Sequence, residues 1–124
     1  MKPIFLVDDS PTILMSMTDI LTKAGYAVEK AANGPEALKK AQGGLQPALV
    51  ITDYHMPGMT GVELIRELRK QAGFRFTPIL VLTTESQQDK RTEAKSAGAT
   101  GWLVKPVASD QLLQVIKQVA PTAR

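Results

Sequence analysis

Five short apolar runs punctuate the chain: IFLV (4–7), YAVEKA (26–31), ALVIT (48–52), PILVLT (78–83) and GWLV (101–104). Runs of this length, most of them carrying Val or Ile, predict buried strands. Between them the apolar spacing changes to a helical period. Ile13, Leu14, Met17, Ile20 and Leu21 share one helical face, with Pro11 behind Ser10 as a first-turn proline and Gly25 placed to close the helix. A second helix follows Asn33-Gly34-Pro35 and turns Ala37, Leu38 and Ala41 inward. The third opens with Thr60-Gly61-Val62-Glu63, the spacing of a capping box, and draws its buried face from Val62, Leu64, Ile65 and Leu68. The fifth runs from Ser109 with Leu112, Leu113, Val115, Ile116 and Val119.

The fourth helical stretch (86–98) is different, because only Ala94 and Ala97 are clearly apolar there. Helices in proteins are held mostly by packing an apolar face, so this one is expected to be weakly anchored. It reads either as a solvated surface helix or as an element that shifts or binds a partner. Strict strand–helix alternation with near-continuous apolar strands predicts a parallel sheet covered on both faces. No linker, repeat or low-complexity segment divides residues 1–124, so the expectation is one α/β domain of five strands and five helices.

Composition narrows the function classes. The 124 residues are 44% hydrophobic and 22% charged, an ordinary balance for a soluble globular chain. No apolar run approaches the roughly 20 residues that span a bilayer, and the start, MKPIFLVDDS, breaks its apolar run with two aspartates, unlike a signal peptide. The absence of cysteine excludes disulfides and thiolate metal sites and fits a cytoplasmic setting. The net charge of +3 comes from scattered Lys and Arg, without an aromatic-interleaved basic stripe, so neither nucleic acid nor a membrane is an expected partner.

The chemistry lies at the strand ends. In a parallel α/β sheet, ligand groups gather at the carboxyl edge, where the first strand ends in Asp8 and Asp9, the third in Asp53, the fourth in Thr83 and Thr84, and the fifth in Lys105. Taken singly, each has a plain reading as a cap, a turn or a surface residue. Their coincidence at one edge is the signal. A carboxylate closing an apolar strand is costly unless it is paired or bound to a metal. Three clustered carboxylates repel one another, and Mg2+, a hard cation held by one or two carboxylates plus phosphate, relieves that repulsion. A carboxylate there can serve as nucleophile and form an acyl phosphate, with Lys105 neutralising charge and Thr83 offering a hydroxyl donor.

The segments LVDDS, ITDYHMPGMTG, VLTTES and TGWLVKPV resemble the receiver domain of bacterial two-component response regulators, over nearly the whole chain. The resemblance implies a doubly wound, flavodoxin-like sheet of order 2-1-3-4-5. It implies Asp53 as phosphoacceptor, with Mg2+ held by Asp9 directly, Asp8 mainly through water, Asp53, and the backbone carbonyl of His55. Lys105 would bind the phosphoryl group, and Thr83 would turn toward it on activation. Trp102 takes the switch position, where Tyr or Phe is familiar, and Thr84 stands where a smaller residue is usual. Lys105-Pro106 would be a cis peptide. The side chains of His55 and Glu85 would flank the path of the hydrolytic water and tune the lifetime of the phosphoryl group.

Three functions compete. The first is a stand-alone, monomeric receiver of the chemotaxis type. It would be phosphorylated by a chemotaxis-type sensor histidine kinase and signal by contact with a flagellar motor switch protein, since the chain ends soon after the fifth helix. Its contact surface would be the fourth helix, the strand of Trp102 and the fifth helix. The second is a phosphorelay intermediate or phosphate sink that passes phosphate to a histidine phosphotransfer protein. The third is a Mg2+-dependent phosphatase, disfavoured because the general acid such enzymes carry two residues after the nucleophile is here His55. A signalling domain rather than an enzyme is expected.

Overall fold

The computed structural model describes residues 2–84, 88–105 and 107–121. Five parallel strands, β1 (Ile4–Val7), β2 (Val28–Ala31), β3 (Leu49–Asp53), β4 (Ile79–Thr83) and β5 (Gly101–Val104), form one sheet in the order β2-β1-β3-β4-β5. Helices α1 (Pro11–Lys23), α2 (Gly34–Gln42), α3 (Gly61–Arg69), α4 (Gln88–Ala97) and α5 (Ser109–Val119) alternate with them. This is the doubly wound α/β order that the family resemblance implies.

Side chains alternate along each strand and so divide the core into two layers. Phe5, Val7, Val50, Ile79 and Val81 pack beneath α2, α3 and α4. Ile4, Leu6, Leu49, Ile51, Leu80 and Leu82 pack beneath α1 and α5. The central strands β1, β3 and β4 are buried along their whole length. The two outer strands correct the expectation of five buried ones. Ala31 is the one buried residue of β2, and β5 is only partly covered, with Val104 exposed. Each has a neighbour on one side only, and β2 carries Glu29 and Lys30, which need water. The second strand also starts two residues later than expected, at Val28, and a short 3-10 turn (Ala72–Phe74) buries Phe74 without having been anticipated.

Local chemistry sets the helix ends. The Ser10 hydroxyl accepts from the Ile13 N–H at 3.3 Å ahead of Pro11. Gly25, at φ +96°, lets Tyr26 N–H donate to Leu21 O and its own N–H to Thr22 O, a Schellman closure. Thr60 and Glu63 form the reciprocal capping box. At Gly61 a Cβ would lie 2.3 Å from the Asp53 carbonyl oxygen, so only glycine lets α3 begin against the end of β3. That close approach fixes the backbone under Asp53.

The fourth helix buries Ala94 and Ala97, as expected of a weakly anchored element. A second anchor comes from Arg69, which donates to Phe74 O at 2.7 Å, Thr77 O at 2.6 Å and Gly98 O at 2.6 Å. One guanidinium thus ties the end of α4 to the segment entering β4. Burial lowers its pKa from the ordinary arginine value, yet it remains a cation at neutral pH. Arg69→Met is expected to destabilise the fold by about 1.5–3 kcal/mol, since charged donors to several main-chain carbonyls are lost. Urea denaturation reads this directly, and a change below about 0.5 kcal/mol, the size of a neutral surface substitution, would refute the clamp.

Candidate functional site

β1 and β3 are neighbours in register Val7↔Thr52, which brings Asp8 and Asp53 side by side where the strands end. Asp8 is 4% exposed and Asp53 9%, whereas Asp9 faces solvent. One carboxylate oxygen from each of the three lies within 4.8 Å of the others. Among the described residues no other group of three His, Asp or Glu side chains converges in this way.

Lys105 completes the site from the far side of the sheet. Its backbone N–H donates to Thr83 O at 2.7 Å, which fixes the chain just past β5. β4 lies between β5 and β3, so a long side chain is needed to reach across it. The ammonium stands 3.2 Å from Asp8 Oδ2 and 3.2 Å from Asp53 Oδ1. Asp8 Oδ1 also accepts from the Ser10 N–H at 2.9 Å, so its orientation is held independently of the lysine.

Three carboxylates against one ammonium leave two formal negative charges in excess. Asp53 registers the deficit: burial raises its pKa above the ordinary 3.8, and the charge of Asp8 adds to this. Lys105 pulls in the opposite direction without cancelling the rise. A cluster of oxygen donors short of positive charge, with one member open to solvent, fits a hard divalent cation. It offers no nitrogen or sulfur donor for a softer ion. The group is therefore able to bind a metal.

The remaining sequence-derived residues gather around this edge. Thr83, fully buried, ends β4 in register with Val104. Thr84 is exposed beside it. His55 is exposed and sets its ring edge-on to Tyr54, with centroids 4.7 Å apart. Trp102 is half-buried and packs at a tilt against Tyr54, 5.7 Å between centroids. Glu85 and Pro106, and with it the Lys105-Pro106 peptide, lie outside the described residues.

Two residues of this region escaped the sequence reading. Tyr54 is 4% exposed and stands at the centre of the aromatic contacts, and Lys90 of α4 places its ammonium 5.2 Å from the Tyr54 ring centroid. The available signal was an aromatic residue directly after the acid, inside a turn otherwise rich in Pro and Gly.

Comparison with known proteins agrees with this geometry. Residues 4–117 match the response regulator receiver domain family. Protein PilH of Pseudomonas aeruginosa is 37% identical over 119 residues, covering 96% of this chain and 98% of PilH. The chemotaxis protein CheY4 of Vibrio cholerae superposes with a TM-score of 0.91 at 46% identity, over 96% of this chain and 98% of that one. The receiver domain of the sensor histidine kinase PA1611 from P. aeruginosa, solved with a magnesium ion coordinated in its active site cleft, superposes with a TM-score of 0.89 at 27% identity over 98% of each chain. Among the described residues no helix is long and apolar enough to cross a membrane. With its strand order, its acidic edge and its lysine, the chain belongs to the receiver domains of two-component response regulators, a family of signalling domains that work with histidine kinases and effectors.

Proposed function

We propose that the chain takes a phosphoryl group from a sensor histidine kinase onto Asp53, with Mg2+ present, and signals by the resulting change of surface. The observation that carries this is the position of Lys105, 3.2 Å from both Asp8 and Asp53, in a cluster that still lacks positive charge. Asp8, Asp9, Asp53 and the His55 backbone carbonyl would hold the ion. Bound there, Mg2+ supplies the charge that the carboxylates and an incoming phosphoryl group jointly lack. The magnesium-bearing PA1611 receiver supports that assignment.

In the transfer, an Asp53 carboxylate oxygen forms a bond to phosphorus as the phosphorus–nitrogen bond of a phosphohistidine breaks. The imidazole leaves with the electron pair and takes a proton from solvent. The gorge around Asp53 raises its proton affinity, yet the group must be ionised to attack, and Lys105 beside it favours that form. Lys105 then turns its ammonium to a phosphoryl oxygen, and the Thr83 hydroxyl donates to another. His55 and Glu85 flank the approach of water and set how long the acyl phosphate lasts.

On this reading the chain acts as one monomeric receiver in the cytoplasm, its catalysis confined to its own phosphorylation and dephosphorylation. A chemotaxis-type kinase and a flagellar motor switch protein are the expected partners, supported by likeness to CheY proteins. A phosphorelay role, ending on a phosphotransfer protein, is the alternative reading. The chain is 33% identical to a segment making up 16% of the sensory/regulatory protein RpfC of Xanthomonas campestris.

Incubation with acetyl phosphate is expected to add one phosphoryl group per chain, measured by intact mass, only when Mg2+ is present. Chelation or Asp9→Asn should suppress it, and p-nitrophenyl phosphate should not be turned over. No adduct with any donor would overturn the proposal, and multiple turnover would favour a phosphatase. Given the phosphorylated protein, loss of phosphate to a histidine phosphotransfer domain favours the relay, and capture by a motor-switch peptide favours chemotaxis.

A further inference from the structure

Tyr54 occupies a place that the acceptor chemistry does not use. It follows Asp53 directly, and its backbone is held on both sides: its N–H donates to Leu82 O at 3.0 Å, and its carbonyl accepts from Gly61 N–H at 2.8 Å. The ring belongs to the layer of Val50 and Val81, beneath α2, α3 and α4. There it meets Trp102 at 5.7 Å and a 60° tilt. β3, which Tyr54 follows, and β5, which carries Trp102, are not neighbours, since β4 runs between them. Two strand spacings are about 10 Å, so the rings close a gap across β4, on its Val81 side. From α4, Lys90 places its ammonium 5.2 Å from the same ring.

Both elements touched bury little apolar surface of their own. The buried apolar residues of α4 are Ala94 and Ala97, and β5 is an edge strand that is only partly covered. A ring that joins both to the residue beside Asp53 is a short mechanical path from acceptor to surface. Packed interiors transmit a displacement rather than absorb it, because they hold few voids.

We propose that Tyr54 is the positioning residue through which the state of Asp53 reaches α4 and β5, by its ring contacts with Lys90 and Trp102. The proposal rests on Asp53 being the phosphoacceptor. It adds to the expected motion of Thr83 a second path, through the aromatic pair. A Tyr54 that merely fills the core would be replaceable by leucine without loss of signal.

The test compares wild type, Tyr54→Phe, Tyr54→Leu and Lys90→Met. Each is phosphorylated with acetyl phosphate and Mg2+, and in parallel treated with beryllofluoride and Mg2+ as a stable phosphoryl mimic. Intact mass reads the adduct, Trp102 fluorescence reads β5, and amide hydrogen exchange reads residues 88–104. All four are expected to form the adduct at rates within about threefold of one another. Tyr54→Phe should keep the wild-type response. Tyr54→Leu should lose at least about fivefold of the Trp102 response, the size of a modest coupling. Lys90→Met should keep the Trp102 response and lose the exchange change across 88–97.

A full wild-type response in Tyr54→Leu would overturn the proposal, as would loss of its adduct, which would move Tyr54 into the acceptor chemistry. If circular dichroism shows Tyr54→Leu unfolded, Lys90→Met decides: an unchanged exchange response across 88–97 overturns the proposal, and a lost one supports it. Absence of an adduct in wild type would overturn the receiver reading and this inference together. A wild-type adduct with an unaltered Tyr54→Leu response overturns the inference alone.

Discussion

Asp53→Asn is expected to make the fold more stable while abolishing phosphorylation. Burial and the charge of Asp8 raise the proton affinity of Asp53 in the folded chain above its ordinary 3.8, and Lys105 only partly offsets them. The folded state therefore binds this proton more tightly than the unfolded state does. The stability that the protonated group contributes is fully present below about pH 3.8 and is lost as pH rises through the folded value. Asparagine, neutral throughout, loses nothing over that window. The advantage of Asp53→Asn over wild type should thus grow with pH from the acid side and level off above the folded pKa. Mg2+ should reverse the order, because an ion that binds only the folded wild type at 100 times its dissociation constant adds about 2.7 kcal/mol. Urea denaturation from pH 3 to 8, with and without Mg2+, reads both effects. A variant less stable than wild type at pH 7 without Mg2+ would refute the charge-deficit reading of the site.

Lys105→Met is expected to act in the opposite direction on stability. Its ammonium is the one cation within 4.0 Å of Asp8 and Asp53 among the described residues, and its side chain is 17% exposed. Removing one partner of a fully buried ion pair costs about 3–5 kcal/mol. With this degree of exposure, about 2–3 kcal/mol is the expected loss at neutral pH, smaller in acid or with Mg2+. Phosphorylation by acetyl phosphate should slow by about 100-fold, the usual effect of losing one preorganised donor to developing charge. Thermal denaturation and stopped-time intact mass check the two effects separately. Unchanged stability with an unchanged rate would mean that Lys105 only decorates the edge.

Particular residues show what could be read from the chain and what could not. The central strands were legible because β1, β3 and β4 are covered on both faces and so read as unbroken apolar runs. The outer strands read as buried because Tyr26, Ala27 and Val28, or Trp102 and Leu103, look the same in sequence whether one or both faces are covered. Strand order came from resemblance, since periodicity says nothing about which strands are neighbours. The weak anchoring of α4 was visible in Ala94 and Ala97, but the Arg69 clamp was not. A terminal arginine on a polar helix looks like a solvated one until its carbonyl partners are in place.

At the site, Asp8, Asp53 and Lys105 were legible because the carboxyl ends of parallel strands share one edge. Their division of labour in space was not, since one Asp of an adjacent pair is buried and the other exposed only once α1 begins at Pro11. Tyr54 was missed for a different reason. Its significance lies in contacts with β5 and α4, which are separated from it by more than thirty positions along the chain.

The most direct test of the central claim is to trap the acyl phosphate where it forms. Wild-type protein would be treated with acetyl phosphate and Mg2+, reduced with borohydride, digested and mapped by tandem mass spectrometry. Reduction converts an aspartyl phosphate to homoserine, so the modified position is read from the peptide itself. The expected result is homoserine at position 53 alone, absent without Mg2+ and absent in Asp53→Asn. Homoserine at position 8 or 9, or no reduced residue in a protein that is folded and metal-bound, would contradict Asp53 as the acceptor.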